Sequence, residues 1–330
     1  MGRGIVERGD AMSVADAFMA AVRGRTLLFD GGLGTALIAK GLDLAVEPPE
    51  AWLLTQPARL GEVHRAFYMA GADVLQTGSF GLGRLLRAGQ IPGVLSAQDR
   101  PHASHADQAL HQAQRLARRS VQQAMSAGVP PAFVVAALGP SGPPPSAAEV
   151  AAIADQTEAL AQAFLAAGAC ALHIETACDP MDLAALLAGA GRTALPLAVS
   201  LTVSLGQSGL ETPLGVPLAR MLKAIGEADV RPVIIGVNCS QPARRLRRAV
   251  SELAEWAAGQ RGERPRVLAQ PEVDEPAPDC KRPPPPETPE RFAADLVQLL
   301  SEGADHLGGC CGCRPEHIAA VATRLAADRH

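Results

Sequence analysis

Aromatic side chains are scarce, with phenylalanine, tryptophan and tyrosine making up 3% of the 330 residues. Nucleic-acid bases stack on aromatic faces, so composition argues against a single-strand binding platform. A basic surplus is missing too. There are 30 Lys and Arg against 34 Asp and Glu, for a net charge of −4. That removes the electrostatic footprint of a nucleic-acid binder. No apolar run reaches eighteen residues, so no membrane partner or spanning helix is expected. The first residues, MGRGIVERGDAMSV, include acidic side chains and lack an apolar core, unlike a secretory signal. Residues 1–20 are expected to be a disordered or helical lead-in, residues 21–330 a single domain, and the location cytoplasmic. Homo-oligomer formation is left open.

Cysteine is sparse and odd in number. Seven residues stand at 170, 178, 239, 280, 310, 311 and 313. A disulfide framework suits small exported chains, whereas clustered cysteines in a larger domain point to metal or catalysis.

What is abundant is apolar sequence, at 48%, and it is periodic. Short Val-, Ile- and Leu-rich runs suit buried parallel strands. They fall at 26–30, 72–77, 132–138, 169–175, 197–203, 232–238, 266–270 and 305–307. Helical patterns lie between them, at 58–70, 106–127, 147–167, 181–190 and 215–227. Further ones run through Leu246, Val250 and Leu253, through Phe292, Leu296 and Leu299, and through Ile318, Val321 and Leu325. Eight strands alternating with about eight helices predict an α/β fold, a (β/α)8 TIM barrel. An open doubly wound sheet is the competing architecture. The segment Asp30-Gly31-Gly32-Leu33-Gly34 lacks the G-x-G-x-x-G spacing such a nucleotide site requires. Segments 86–105 and 271–287 read as long loops on the C-terminal face, where barrel loops shape the site.

In a barrel, chemistry collects at the C-terminal ends of strands. Gly308-Gly309-Cys310-Cys311-Gly312-Cys313 follows the last strand, and the flanking glycines free the backbone to turn both sulfurs one way. Cys239 ends the sixth strand, so the barrel brings it to the same rim. Three thiolates there would make an open tetrahedral zinc site. Two packed thiols beside a glycine turn would explain the pair alone. Cys313 is a candidate fourth ligand that would close the site. Asp30 and Glu175 end the first and fourth strands, placed to hold a substrate ammonium group or to cap a loop. His173 shares the face of Glu175 and is expected to pack behind it. His64 and His317 are expected to face solvent or partners. An aldolase-like reading would need a lysine at a strand end, and Lys40, Lys223 and Lys281 end none.

The order of motifs resembles the homocysteine S-methyltransferase family over about residues 26–325. The motifs are DGGLGT (30–35), Trp52, HRAFYMAGADVLQTGSFG (64–81), LGPSG (138–142), Glu175-Thr176, GVNC (236–239), and GGCCG followed by PEHI. The resemblance implies zinc on Cys239, Cys310 and Cys311. It also implies that Asp30 and Glu175 lie beside the amino-acid end of homocysteine. Gly31, Ser79, Phe80 and Asn238 would line the substrate site. It further implies methyl transfer to the homocysteine thiol, giving methionine. The 330 residues hold one barrel without folate or cobalamin domains, so a small cationic donor is expected, S-methylmethionine or S-adenosylmethionine. Betaine as donor, another thiol or selenol as acceptor, and a non-catalytic zinc-binding barrel remain as alternatives. The chain departs from the family at Gly78, at Glu272 and Asp274, and at Cys313. The two acidic residues would either favour a cationic donor or simply point to water.

Overall fold

A computed structural model describes residues 12–93, 105–126, 132–273 and 287–327. Seven parallel strands form one curled sheet. They are β1 (Val74–Gln76), β2 (Phe133–Leu138), β3 (Ala171–Ala177), β4 (Leu197–Leu201), β7 (Ile234–Pro242), β8 (Arg266–Glu272) and β9 (His306–Leu307). The two edges meet at one segment: Leu28 bridges Leu307, and Phe29 bridges Val74. The Phe29 amide donates to Leu307 at 2.7 Å, and the Asp30 amide donates to Val74 at 3.0 Å. The first predicted strand is therefore present only as bridges, because its neighbours are just two and three residues long. A small antiparallel hairpin, β5 (Ser204–Leu205) with β6 (Leu210–Glu211), follows β4 and was not expected from the sequence.

Helices lie between the strands. They are α1 (Val14–Gly24), α2 (Leu33–Ala39), α3 (Trp52–Thr55), α4 (Pro57–Met69), α5 (Leu82–Arg87), α6 (His105–Met125), α7 (Val150–Ala166), α8 (Pro180–Ala190), α9 (Leu218–Glu227), α10 (Ala243–Ala258), α11 (Pro289–Gln298) and α12 (Pro315–Ala327). Part of the predicted 86–105 loop is the end of α5. The predicted 271–287 loop begins inside β8. Residues 94–104 and 274–286, with Cys280, Lys281 and Asp274, lie outside the described residues.

Alternation along each strand sorts the barrel interior by height, since residues two apart share a face. At the base are Leu27, Phe29, Val74, Val135, Ala171, Ala198, Ile234 and Leu268. Helix α1 sends fully buried Phe18 into this layer, with Ser13 capping its first turn by accepting from the Asp16 amide. Two residues further up, the same faces carry Gln76, His173, Ser200, Gly236 and Gln270. Higher still come Glu175 and Asn238. The interior thus changes from apolar to polar toward the rim.

Two predicted surface histidines are buried instead. His64 sits on the inner face of α4, with Nδ1 2.6 Å from Gln123 Oε1 and Nε2 3.0 Å from the Gln76 carbonyl. His317 caps the turn before α12 by accepting from the Arg314 amide at 3.1 Å, and its ring meets Phe292 edge-on. Helical periodicity locates the buried face, and a histidine on that face goes inside when both or one of its nitrogens find a partner.

The helix layer is tight where α7 crosses α8. A Cβ on Gly189 would lie 2.1 Å from the Ala154 carbonyl oxygen. Gly189→Ala is expected to force the helices apart and cost about 1–3 kcal/mol. A thermal midpoint equal to that of the wild type would refute this close crossing.

Candidate metal centre

The cysteine loop is held at defined points by backbone hydrogen bonds. Gly309 donates to Asp30 at 2.9 Å, Cys310 to Pro271 at 2.8 Å, and Val273 to Cys311 at 2.9 Å. These bonds tie the loop to the end of β8 and to the first strand segment. Gly312 turns it with φ +74°. Cys239 stands at the other side, also in the left-handed region at φ +59°. The β7–β8 register slips between Asn238 and Pro242, just where Cys239 sits. A bulge at a barrel rim re-aims a side chain, and here it is the cysteine.

The result is a trio. The sulfurs of Cys239, Cys310 and Cys311 all lie within 4.8 Å of one another, and Cys239 and Cys311 are 3.6 Å apart. Thiolates about 2.3 Å from a tetrahedral zinc stand about 3.8 Å apart, so the spacing fits. The donor set is soft, which suits zinc over hard cations. Hydrogen bonds with Cys239 and Cys310 bring the Cys311 thiol down to about 3, while contacts with Cys239 and Cys311, and then burial, push Cys310 up. The lowered Cys311 thiol favours the thiolate, the form that binds a cation.

Cys313 does not join them. It is fully buried in the main core. A Cβ on Gly309 would lie 2.1 Å from its sulfur, so the glycine exists to let this thiol pack behind the loop. A fourth protein ligand from Cys313, the requirement of a closed structural site, is not met.

The trio opens into a cavity of about 380 Å³. Gly31, Phe80, Gln76, Glu175 and Thr176 line it with the cysteines. Glu175 is held from two sides. Its Oε1 accepts from Gln76 Nε2 at 3.0 Å, and its Oε2 accepts from Asn238 Nδ2 at 3.3 Å. Burial, with a smaller contribution from the Cys239 charge, pushes its carboxyl up to about 8. A cation entering the cavity would restore its charge.

Behind the wall runs a polar network. Gln270 donates to Gln76 Oε1 at 2.7 Å. Gln76 Nε2 lies 3.1 Å from His173 Nδ1, and His173 Nε2 lies 2.8 Å from Ser200 Oγ. The amide can only donate, so Nδ1 accepts and the proton sits on Nε2. Burial brings the His173 imidazole down to about 3, so the ring is neutral. Asp30 is also in this layer. Its Oδ2 accepts from the Gln76 amide at 2.9 Å, while Oδ1 is buried without a partner. Burial raises it well above the usual carboxylate range. Ser79 is buried, donating to the Ala137 carbonyl at 2.8 Å. Among the residues expected around a substrate, then, Glu175, Gly31 and Phe80 reach the cavity. Asp30, Ser79 and Asn238 sit one layer behind it.

Residues 27–325 match the sequence profile of the homocysteine S-methyltransferase family. The chain belongs to that family. Methionine synthase from Mycobacterium tuberculosis is 28% identical over 316 residues, covering 92% of this chain and 25% of that protein. Methionine synthase from Mycobacterium leprae is 27% identical, covering 92% and 24%. The chain spans about a quarter of the length of these relatives. The homocysteine methyltransferase MmuM from Escherichia coli superposes with a TM-score of 0.64 in its apo form, at 22% identity, covering 92% of this chain and 97% of that one. The metallated form gives 0.64 at 21% identity, covering 94% and 100%. A methyltransferase from Methanosarcina mazei gives 0.56 at 12% identity, covering 97% and 100%. At such identities the likeness fixes the barrel fold. Among the described residues, no helix is long and apolar enough to cross a membrane.

Gln76, Gln270, Ser200, Glu50 and Arg84 were not singled out in the sequence. For the first three a signal existed. Each is a polar residue two positions along its strand from a barrel-interior hydrophobe. Thr176 was legible only as part of the Glu175-Thr176 motif, and its left-handed conformation (φ +61°) is set by tertiary contacts. The Asn238 amide makes them, accepting from the Thr176 amide and donating to its hydroxyl, both at 2.9 Å.

Proposed function

We propose that this chain is a zinc-dependent homocysteine S-methyltransferase that takes its methyl group from a sulfonium donor and gives methionine. The observation that carries the reading is the trio of sulfurs facing a cavity that Glu175 also lines. A zinc ion held by Cys239, Cys310 and Cys311 would supply Lewis acidity that lets an acceptor thiol lose its proton at neutral pH.

The residues then do the positioning. Glu175, steadied by Gln76 and Asn238, takes the acceptor's ammonium group. Gln76 is steadied in turn by Asp30 and Gln270. The acceptor sulfur attacks the methyl carbon, the bond from that carbon to the sulfonium sulfur breaks, and the donor leaves as a neutral thioether. Alignment is the main contribution a rigid barrel makes to such an in-line transfer. No protein base is required once the thiol proton is gone.

Charge supports a cationic donor. Glu272 and Glu175 both lie near enough to act on Cys311, so two acidic groups stand beside the sulfur cluster. A sulfonium is attracted to such a field. The test is product analysis. Zinc-loaded protein is incubated with homocysteine and methyl-labelled S-methylmethionine, S-adenosylmethionine or betaine, with zinc content measured on the same sample. Labelled methionine from a sulfonium donor is expected. Label transferred only from betaine, or only to another thiol, would overturn the donor or the acceptor respectively.

A further inference from the structure

The cavity holds a second charged pair that the thiol site does not use. Glu50 comes from the 3-10 turn Pro49–Ala51, and Arg84 from α5; both line the cavity. These segments flank β1, whereas Cys239 lies in β7 and Cys310 and Cys311 follow β9. Glu50 is 2% exposed. Its Oε1 accepts from the Gly81 amide at 2.5 Å, while Oε2 is buried with no hydrogen-bond partner. One oxygen suffices for the loop, so the second is not explained by folding. A buried acceptor without a partner costs about 1–3 kcal/mol, and a ligand N–H would recover it. Arg84 is exposed, and among the described residues no side chain or carbonyl holds its guanidinium by a hydrogen bond or ion pair. Its charge is near enough to act on Glu50.

A carboxylate acceptor and a free guanidinium on one cavity match the two ends of a free amino acid. The carboxylate takes an α-ammonium N–H, and the guanidinium takes an α-carboxylate in a forked pair. Two amino-acid substrates need two such sites, and Glu175 serves only one. We propose that Glu50 and Arg84 form a second amino-acid subsite, which holds the methyl donor by its α-amino-acid end. This rests on the sulfonium reading above and narrows it to sulfonium amino acids. Betaine has a carboxylate but no N–H, so it leaves Glu50 unsatisfied. The cavity, at about 380 Å³, is in the range of pockets that take drug-sized ligands.

The test is calorimetric titration of S-methylmethionine, then S-adenosylmethionine, into zinc-loaded wild type, Glu50→Gln, Arg84→Ala and Arg84→Lys. Binding is read without turnover. Wild type is expected to bind at least one of the two, with affinity about tenfold or more weaker in Glu50→Gln and Arg84→Ala, as for a lost charged hydrogen bond. Arg84→Lys should recover part of the loss, and homocysteine affinity should change less than about threefold in each variant. Glutamine keeps an oxygen for Gly81, and unchanged thermal midpoints check folding. Arg84→Ala tests the subsite from the exposed side without touching the buried one. Wild type binding neither probe, variants binding like wild type, or homocysteine affinity falling equally would each overturn the subsite. A Glu50- and Arg84-dependent affinity without any methyl transfer would instead uphold the subsite and sink the donor reading.

Discussion

Cys239→Ala is expected to lose both the metal and the activity while the barrel stays folded. Wild-type protein should hold about one zinc per chain, the stoichiometry of a single three-thiolate site. With Cys239 gone, Cys310 and Cys311 remain as an adjacent pair, too few ligands to retain the ion through dialysis. Without a metal, an acceptor thiol near pKa ~8.5 is only a few per cent thiolate at pH 7, a loss of about thirtyfold. Its sulfur is also no longer held against the donor, and positioning of that kind is worth several further powers of ten. Turnover should fall by more than about 10³-fold. The fold should survive because Cys239 lies at a half-exposed rim rather than in the core. Its φ of +59° is no easier for cysteine than for alanine, so the exchange brings no new strain. Metal content by mass spectrometry, with circular dichroism beside it, decides the matter. Zinc and full turnover retained in the variant would remove Cys239 from the site.

The rim cysteines were legible because they interrupt a regular pattern. Cys239 ends an apolar strand, and Cys310-Cys311 sits between glycines after another. The barrel reading alone puts both at one end. The alternation on β3 placed His173 and Glu175 on the same face, and His173 is indeed packed behind it. What could not be read was depth. Asp30 and Glu175 both end predicted strands, yet Glu175 lines the cavity and Asp30 lies beneath Gln76. Strand ends differ in height around a tilted barrel, and sequence carries no measure of that offset. Cys313 was ambiguous for a similar reason. Its distance along the chain from Cys311 matches a ligand, but the turn at Gly312 sends its sulfur inward under Gly309. Glu50 precedes Trp52 in a polar, proline-bearing stretch, where a glutamate reads as surface. Its burial depends on the Gly81 amide, 31 residues away in the chain.

Among the described residues, two non-glycine residues occupy the left-handed region, Thr176 and Cys239, and both line the cavity. Such conformations cost about 1–3 kcal/mol each and persist only where the surroundings enforce them. Asn238 precedes Cys239 and grips Thr176 through its amide. It is itself fixed by Thr202, which donates to its carbonyl at 3.0 Å. One asparagine thus couples the metal-ligand bulge on β7 to the carboxylate bulge on β3. The stored strain sets the spacing between a sulfur ligand and the group that receives the substrate's ammonium.

That coupling defines what Glu175→Gln should do. The two donors on Glu175 cannot adapt. Asn238 is locked because its Oδ1 accepts from Thr176, so its Nδ2 must face residue 175. Gln76 is locked because its Oε1 accepts from Gln270. A glutamine amide at 175 would therefore point its NH2 at one of two donors, and the negative charge would be lost as well. Losing a charged hydrogen bond to the acceptor's ammonium is worth about 1.5–3 kcal/mol, so homocysteine affinity should fall about 10–100-fold. Zinc content should not change, since Glu175 is not among the three ligands, and this separates the effect from that of Cys239→Ala. The sharper measurement compares homocysteine with its deamino analogue. Wild type should prefer homocysteine, because only it offers an ammonium to Glu175. In Glu175→Gln that preference should collapse through loss of the homocysteine signal, with the analogue bound about as before. A variant that keeps the full preference would place the ammonium elsewhere in the cavity, and Glu175 would be left as a buried acid serving only the network behind it.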